Sequence, residues 1–527
     1  MLHGKKKIAA GKIPFRAAVP PQRIDKTAVL HYSESITEQI RRPGMQNRTV
    51  RRGKRFVMPK TPTPEKLAAQ KTREAKELAR CQRELARKKP KGYLWYLLVI
   101  LSIVYIVDEI TSAMGSAMQS EVVTEFFVLG KGMEYNNGLA AFTAMSAPLY
   151  MMMILMPFYK SLADKYGRKL FLVLNTVGMG IGLGICMGAG SPLVYLCGML
   201  VINFVMYNDM QVMYVMECAP EKHRAKLTSL TKAVALLGVT LIPVLRDTFM
   251  GSDGSRWRKV FLVPAVLALV VGLSAIFLLR ETPVFLSRRA AWLALTDEQR
   301  AAQAQGEKQS ADESKGGVGR ALKFILAHRQ IRAVAICALV FMFATGVTGF
   351  YESIMKTGGM DTAQVTRAMY FIPFFNAAMT LLGGFITDAL GRKRSAVILS
   401  SVAFLGLISF ILCANYGMPP AAVGISYGLF IGGLWSVSDM LCIIVVSEST
   451  PTYLRASVLG AVSLFVGIGT MLSNVLITVG MLLVPSIGML CLFLCTPFLL
   501  ASIVILITRV HETKGTDLNT VTGAEWD

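Results

Sequence analysis

From Tyr93 onward, long apolar runs alternate with short polar turns, and twelve of these runs are each near the roughly 20 residues a helix needs to span a bilayer. They fall at 93–117, 139–159, 170–190, 192–217, 227–246, 258–279, 332–355, 368–387, 395–415, 419–446, 457–482 and 486–508. A polar block, 280–331, parts six from six and reads as a linker with room for a helix or two. The pattern predicts an all-α integral membrane protein of twelve transmembrane helices in two six-helix bundles, 93–279 and 332–508, with a tail at 509–527. Ahead of them, 1–92 form a basic tail. Residues 1–60 lack apolar periodicity and are expected to be disordered, whereas 64–89 carry strong helix formers with interleaved charge and predict a solvated helix.

The turns between the runs repeat. Asp-Lys-Tyr-Gly-Arg-Lys at 164–169 returns 224 residues later as Asp-Ala-Leu-Gly-Arg-Lys at 388–393. Gly167 and Gly391 suit a sharp reversal, and the basic pair beside each suits the inner face of a membrane. A second pair reads E-x-x-P-x-x-x-R, from Glu217 to Arg224 and from Glu448 to Arg455, 231 residues apart. A third, Arg280-Glu-Thr-Pro and His511-Glu-Thr-Lys-Gly, closes each half at the same offset. One membrane unit is used twice.

Charge then fixes the expected orientation. Residues 1–92 hold 25 Lys/Arg against 7 Asp/Glu, which is most of the chain's net +23. The tail is read first as a positive-inside anchor with possible anionic-lipid contact, and no nucleic acid is expected. After residue 92, the loops and tail on the N-terminal side of the bilayer carry 23 Lys/Arg and the opposite loops 7. Both termini are therefore expected in the cytoplasm, with the protein a multi-pass monomer of the plasma membrane. The Asn47-Arg-Thr sequon then lies on the inner side. Nine cysteines form neither a disulfide framework nor a zinc spacing, and a phosphate-cradling loop and a nucleophile–base pair are both missing. The chain is not expected to be an enzyme, to hold a metal or to need a cofactor beyond a proton gradient. The Gly-rich run 178–190 reads as close helix packing.

These paired motifs resemble the major facilitator superfamily over nearly all of 93–515, and the second and third pairs resemble its sugar-porter branch and the related organic-ion and metabolite/proton symporters. The chain departs from that branch at several points. Cys197 stands where sugar porters place an Arg, and Thr345-Gly-Val-Thr-Gly-Phe-Tyr-Glu replaces their Gln-rich seventh-helix motif. Lys160 replaces the Gly that opens the first loop motif, which Gly384 keeps in the second half. The first outer loop has only about 21 residues and no sequon. These departures point away from a hexose carrier and toward a microbial one. The resemblance implies two bundles rocking about a midplane cavity lined by helices one, four, seven and ten. In that scheme Asp164, Arg168, Glu217 and Arg224, matched by Asp388, Arg392, Glu448 and Arg455, form a cytoplasmic gate.

Ionisable groups at membrane depth are costly and mark functional candidates. Asp108 and Glu109 lie in the first segment, Asn208 and Asp209 in the fourth, Tyr351 and Glu352 in the seventh, and Trp435 and Asp439 in the tenth. Of Asp108 and Glu109 only one can face the cavity directly, since neighbours point ~100° apart on a helix. Lys232 reads equally as a snorkelling residue and a counter-ion, and Arg246 and Lys356 are expected at the outer rim. Tyr207 and Trp435 are aromatic candidates for stacking on a substrate. Acids sharing one cavity would raise each other's pKa, supply proton coupling and favour a small organic cation or zwitterion. The alternatives are a sugar or carboxylate/proton symporter, a multidrug/proton antiporter with the Met-rich helices as walls, and a non-transporting receptor of the same fold.

Overall fold

A computed structural model describes residues 64–87, 90, 92–149, 159, 162–163, 165–206, 210–220, 224–251, 253–296, 299–300, 317–451, 454–516, 521 and 525. Among these residues all the regular structure is helical. The membrane part begins with α1, Tyr93–Ala117, and the described part of α2, Tyr135–Met145. It continues with α3, Arg168–Met187, and α4, described as Pro192–Met206 and Met210–Cys218. α5 is broken into Arg224–Gly238 and Leu241–Phe249, and α6 covers Trp257–Leu278. The second half contains α7, Arg329–Gly349, α8, Thr362–Leu390, and α9, Arg392–Asn415. It ends with α10, Pro420–Glu448, α11, Arg455–Gly480, and α12, Ile487–Arg509.

Among the described residues, ten helices are long and apolar enough by themselves to cross a bilayer. The other two expected spans differ for separate reasons. α2 runs into residues outside the described set, and α5 is interrupted by a turn at 239–240 ahead of Pro243, so neither piece spans alone.

The two halves repeat each other's packing. α3 lies against α4 and α6, as α9 lies against α10 and α12; α1 lies against α5, as α7 lies against α11. Two crossed contacts, α5 with α8 and α2 with α11, join the halves and are themselves related by the repeat. The Gly-rich run does what small residues do in membranes: a Cβ at Gly182 would sit 2.9 Å from the Gly198 carbonyl on α4. Large side chains such as Phe277, Phe385 and Phe493 point outward where lipid would lie.

Outside the bundle, the helix Pro64–Ala86 is fastened to the linker between the halves. Glu77 accepts two bonds from Arg289 at 2.8 and 3.2 Å, and Glu74 accepts one from Arg300 at 2.6 Å. Both arginines also lie over the ring of Trp292. Two linker helices are described, Pro283–Ala294 and Gly317–Ala327.

Candidate functional site

A cavity of about 700 Å³ lies between the halves. Backbone irregularities shape its walls. α7 tightens to 3-10 geometry at Phe343–Gly349 just before Tyr351, and α10 widens into a π turn at Met440–Val445 directly after Asp439. Such turns re-aim the side chains beside them and recur at functional sites.

Of Asp108 and Glu109, the cavity receives Glu109. Asp108 is buried against α4, where it accepts a 3.0 Å bond from Gln211 Nε2. Asp439 lines the cavity and forms a 3.0 Å ion pair with Lys232 of α5, across the two halves. Lys232 is thus a counter-ion. Trp435, one turn before Asp439, is 40% exposed in the same cavity. Tyr351 forms its upper wall, stacked on Tyr427 at 4.8 Å between centroids. Asn208, Asp209 and Tyr207 lie outside the described residues. The remaining lining is uncharged: amides from Asn203, Asn376 and Asn474 and hydroxyls such as Ser116 and Thr380 stand among apolar side chains such as Met199, Leu236 and Ile431. In the sequence these amides and hydroxyls show only as neutral polar residues at intervals within apolar runs, without the charge that marks Glu109 and Asp439.

Glu352 was expected at the cavity and is not among the residues that line it. One residue on from Tyr351, it points the other way around the helix and is wholly buried. Arg246 corrects a second expectation. It is no rim residue but the buried centre of a lock, donating to Glu352 Oε1 at 2.7 Å, Glu121 Oε1 at 3.2 Å and Thr366 Oγ1 at 3.1 Å, and to the Ala117 carbonyl. The Ser120 N–H donates to Glu352 Oε2 at 2.8 Å. Lys356 sits 3.5 Å from Glu121, and the Tyr135 hydroxyl is hydrogen-bonded to those of Ser120 and Ser353 at 3.1 and 3.0 Å. Tyr370 donates to Asp247 at 2.8 Å, and Asn136 to the Pro485 carbonyl at 2.7 Å. Together these bonds tie the first half to the second at the face opposite the paired motifs.

On the motif face each half carries its own network, and the two match residue for residue. Arg168 Nε donates to Glu217 at 3.1 Å, and Arg392 Nη2 to Glu448 at 2.9 Å. Thr282 hydroxyl donates to Glu217 Oε2, as Thr513 does to Glu448 Oε2 at 2.6 Å. Glu281 accepts the Arg168 and Lys169 backbone N–H groups at 3.1 and 3.2 Å, capping α3. Glu512 accepts those of Arg392 and Lys393 at 2.7 and 3.1 Å, capping α9. The Glu-Thr dipeptide shared by the third motif pair is thus the part of the network that the sequence displayed without revealing its use. Gly167 and Gly391 have φ of 113° and 92°, and a Cβ on either would collide with the capping carboxylate.

The burial of the two caps differs. Burial pushes the Glu281 carboxyl above the usual carboxylate range despite the backbone donors around it. For Glu512, in a more open setting, the backbone N–H groups of Arg392, Lys514, Lys393 and Thr513 outweigh burial and hold it below that range. Asp388 is peripheral, 3.7 Å from Arg392 and 87% exposed, and Arg455 donates to the Thr450 carbonyl at 3.3 Å. Asp164 and the side chain of Arg224 lie outside the described set.

A family model for the Major Facilitator Superfamily matches residues 93–474. The chain belongs to this superfamily. Its twelve-helix fold is that of a transporter, not an enzyme. Among curated proteins it is similar to the glucose transporter GlcP of Staphylococcus epidermidis, 23% identical over 68% of this chain and 83% of that one. It is also similar to the glycine betaine/proline/ectoine/pipecolic acid transporter OusA of Dickeya dadantii, 25% identical over 52% of this chain and 56% of that one. Myo-inositol transporter 3A of Cryptococcus neoformans is 30% identical, over 27% and 24% of the two chains. Among solved structures, the inward open xylose transporter XylE of E. coli superposes with a TM-score of 0.58 at 17% identity, covering 81% of this chain and 99% of that one. This superfamily member is an integral, multi-pass membrane protein.

Proposed function

We propose that this chain moves a neutral, hydroxyl-rich solute, a sugar or polyol, across the plasma membrane by proton-coupled alternating access. The observation that carries this reading is the partial neutralisation of the cavity. Asp439 is paired with Lys232 and Glu352 is turned away to Arg246, so the field that favoured an organic cation is reduced to that of Glu109. Among apolar side chains beside the Trp435 face stand amides and hydroxyls. Such groups bond to sugar hydroxyls while the ring packs against the sugar's apolar face. The sugar- and polyol-transporting relatives named above support the same class. Asp439 is the proposed proton acceptor: protonation releases Lys232 and uncouples α5 from α10. Both termini are assigned to the cytoplasm from the loop-charge bias, and the matched networks of the motif face to a cytoplasmic gate.

A second reading is a zwitterionic osmolyte. It is favoured by Glu109 in the cavity and by the likeness to the betaine and proline transporter.

The test is flux into proteoliposomes of glucose, xylose, myo-inositol, glycine betaine and proline, with and without an inward proton gradient. Sugar or polyol uptake that Trp435→Ala and Asn376→Ala reduce, and whose gradient dependence Asp439→Asn removes, supports the reading. Uptake of betaine or proline alone replaces it with the second. Gradient-driven sugar uptake that persists in Asp439→Asn refutes the proton assignment.

A further inference from the structure

A second and larger cavity, about 1280 Å³, lies away from the transport path, where the helix Pro64–Ala86 meets the motif-face ends of α1, α3 and α6. Its walls are of two kinds. Six cations line it, Arg80, Arg87, Lys165, Lys169, Arg280 and Arg289, against three carboxylates, Glu77, Glu84 and Glu281, a surplus of three positive charges. The opposite wall is apolar, built from Leu170 and Val173 of α3 and Ile276, Phe277 and Leu278 at the end of α6. Phe277 is 87% exposed, so this wall continues onto the lipid-facing surface. Tyr96 also lines the cavity and donates to the Leu278 carbonyl at 3.1 Å, and its neighbour Trp95 is 64% exposed. A Trp-Tyr pair at a helix start is the usual mark of the bilayer's interfacial zone.

A soluble anion would use the cations and leave the apolar wall bare. A neutral lipid would use the wall and leave the charge unanswered. From this combination we infer that the cavity binds an anionic phospholipid, its phosphate among the cations and its acyl chains along α3 and α6. The site is wired to the motif-face network. Lys169 and Glu281 line the cavity, and the same Glu281 caps α3 while Thr282 beside it bonds Glu217. A bound lipid therefore holds the helix Pro64–Ala86 against the bundle and steadies the first half's network. The inference does not depend on which solute the central cavity takes.

The experiment titrates the purified full chain in detergent with dioctanoylphosphatidylglycerol, dioctanoylphosphatidylcholine and inorganic phosphate, reading the melting temperature. The phosphatidylglycerol should stabilise, and the other two should have little effect. Arg80, Arg87 and Lys165 are exposed, so the triple variant Arg80→Gln, Arg87→Gln, Lys165→Gln should keep the unliganded melting temperature. It should weaken phosphatidylglycerol binding by about fivefold per removed cation. Equal stabilisation by phosphatidylcholine, an equal response to phosphate alone, or unchanged phosphatidylglycerol binding by the triple variant would each overturn the inference. If the triple variant melts lower without lipid, Lys165→Glu alone decides by the same criteria.

Discussion

Replacing Arg246 with Met should release the lock at the face opposite the paired motifs. The guanidinium is essentially inaccessible to solvent and lies between Glu121 and Glu352, which are as deeply buried. Removing one member of a buried ion pair strands the other, at a cost of about 3–5 kcal/mol. Here Glu352 loses its cation and Glu121 keeps only Lys356 at 3.5 Å, while the first half loses its bond to Thr366 of α8. The cost borne by Glu352 falls on the locked arrangement, because its pair with Arg246 is made only when the two halves meet. Opening lets water reach both carboxylates, so about 3 kcal/mol would move the balance toward the open form by roughly a hundredfold. The assay is alkylation of a cysteine placed at Thr380 in the cavity, by an impermeant reagent applied from either side of oriented vesicles, against a parent lacking Cys197 and Cys218. In the parent, labelling should come from the motif side; in Arg246→Met it should come from the opposite side as well. The triple change Arg246→Met, Glu121→Gln, Glu352→Gln removes the stranded charges. It should regain much of the thermal stability while staying open. Labelling of Arg246→Met that remains confined to the motif side would refute the reasoning.

The motif-face networks give three more predictions. Gly167→Ala and Gly391→Ala force a side chain into positive φ against a capping carboxylate, so each should lose about 1–3 kcal/mol, seen as a lower melting temperature. Glu281 binds its proton more tightly in the folded protein than in the unfolded chain, so its contribution to stability falls as pH rises through its raised folded pKa; Glu512, with a lowered pKa, contributes above its unfolded value and loses that contribution as pH falls. Melting curves should show Glu281→Gln flattening the loss of stability on the alkaline side of the carboxylate range, and Glu512→Gln destabilising at neutral pH but little in strong acid. Glu217→Ala strands an almost inaccessible Arg168, whereas Glu448→Ala leaves the more open Arg392, so denaturation should find the first variant the less stable of the two.

Much of this could be read from the chain before it was folded. The apolar runs marked the helices, and the recurrence of Asp-x-x-Gly-Arg-Lys and E-x-x-P-x-x-x-R marked the two halves, because charge in a short turn has few places to go. Arg168 with Glu217 and Arg392 with Glu448 follow from that symmetry. The direction of a single side chain did not. Asp108 and Glu109 differ by one step of helix rotation, as do Tyr351 and Glu352, and only the neighbouring helix decides which of each pair faces the cavity. Arg246 finds carboxylates 125 residues before it and 106 residues after it, through contacts that no local pattern encodes. The cavity's amides were hidden for another reason: Asn and Thr inside an apolar run carry no charge to set them apart from polar residues that serve helix packing.

The Glu-Thr dipeptide also governs how the protein can be handled. Residues 512 and 513 follow the last helix, yet they fasten α9 from outside the bilayer, as a cleat holds a rope. A fluorescent reporter joined directly to Arg509 would replace that cleat and loosen the second half alone. The same reporter joined beyond Thr516 would leave it tied.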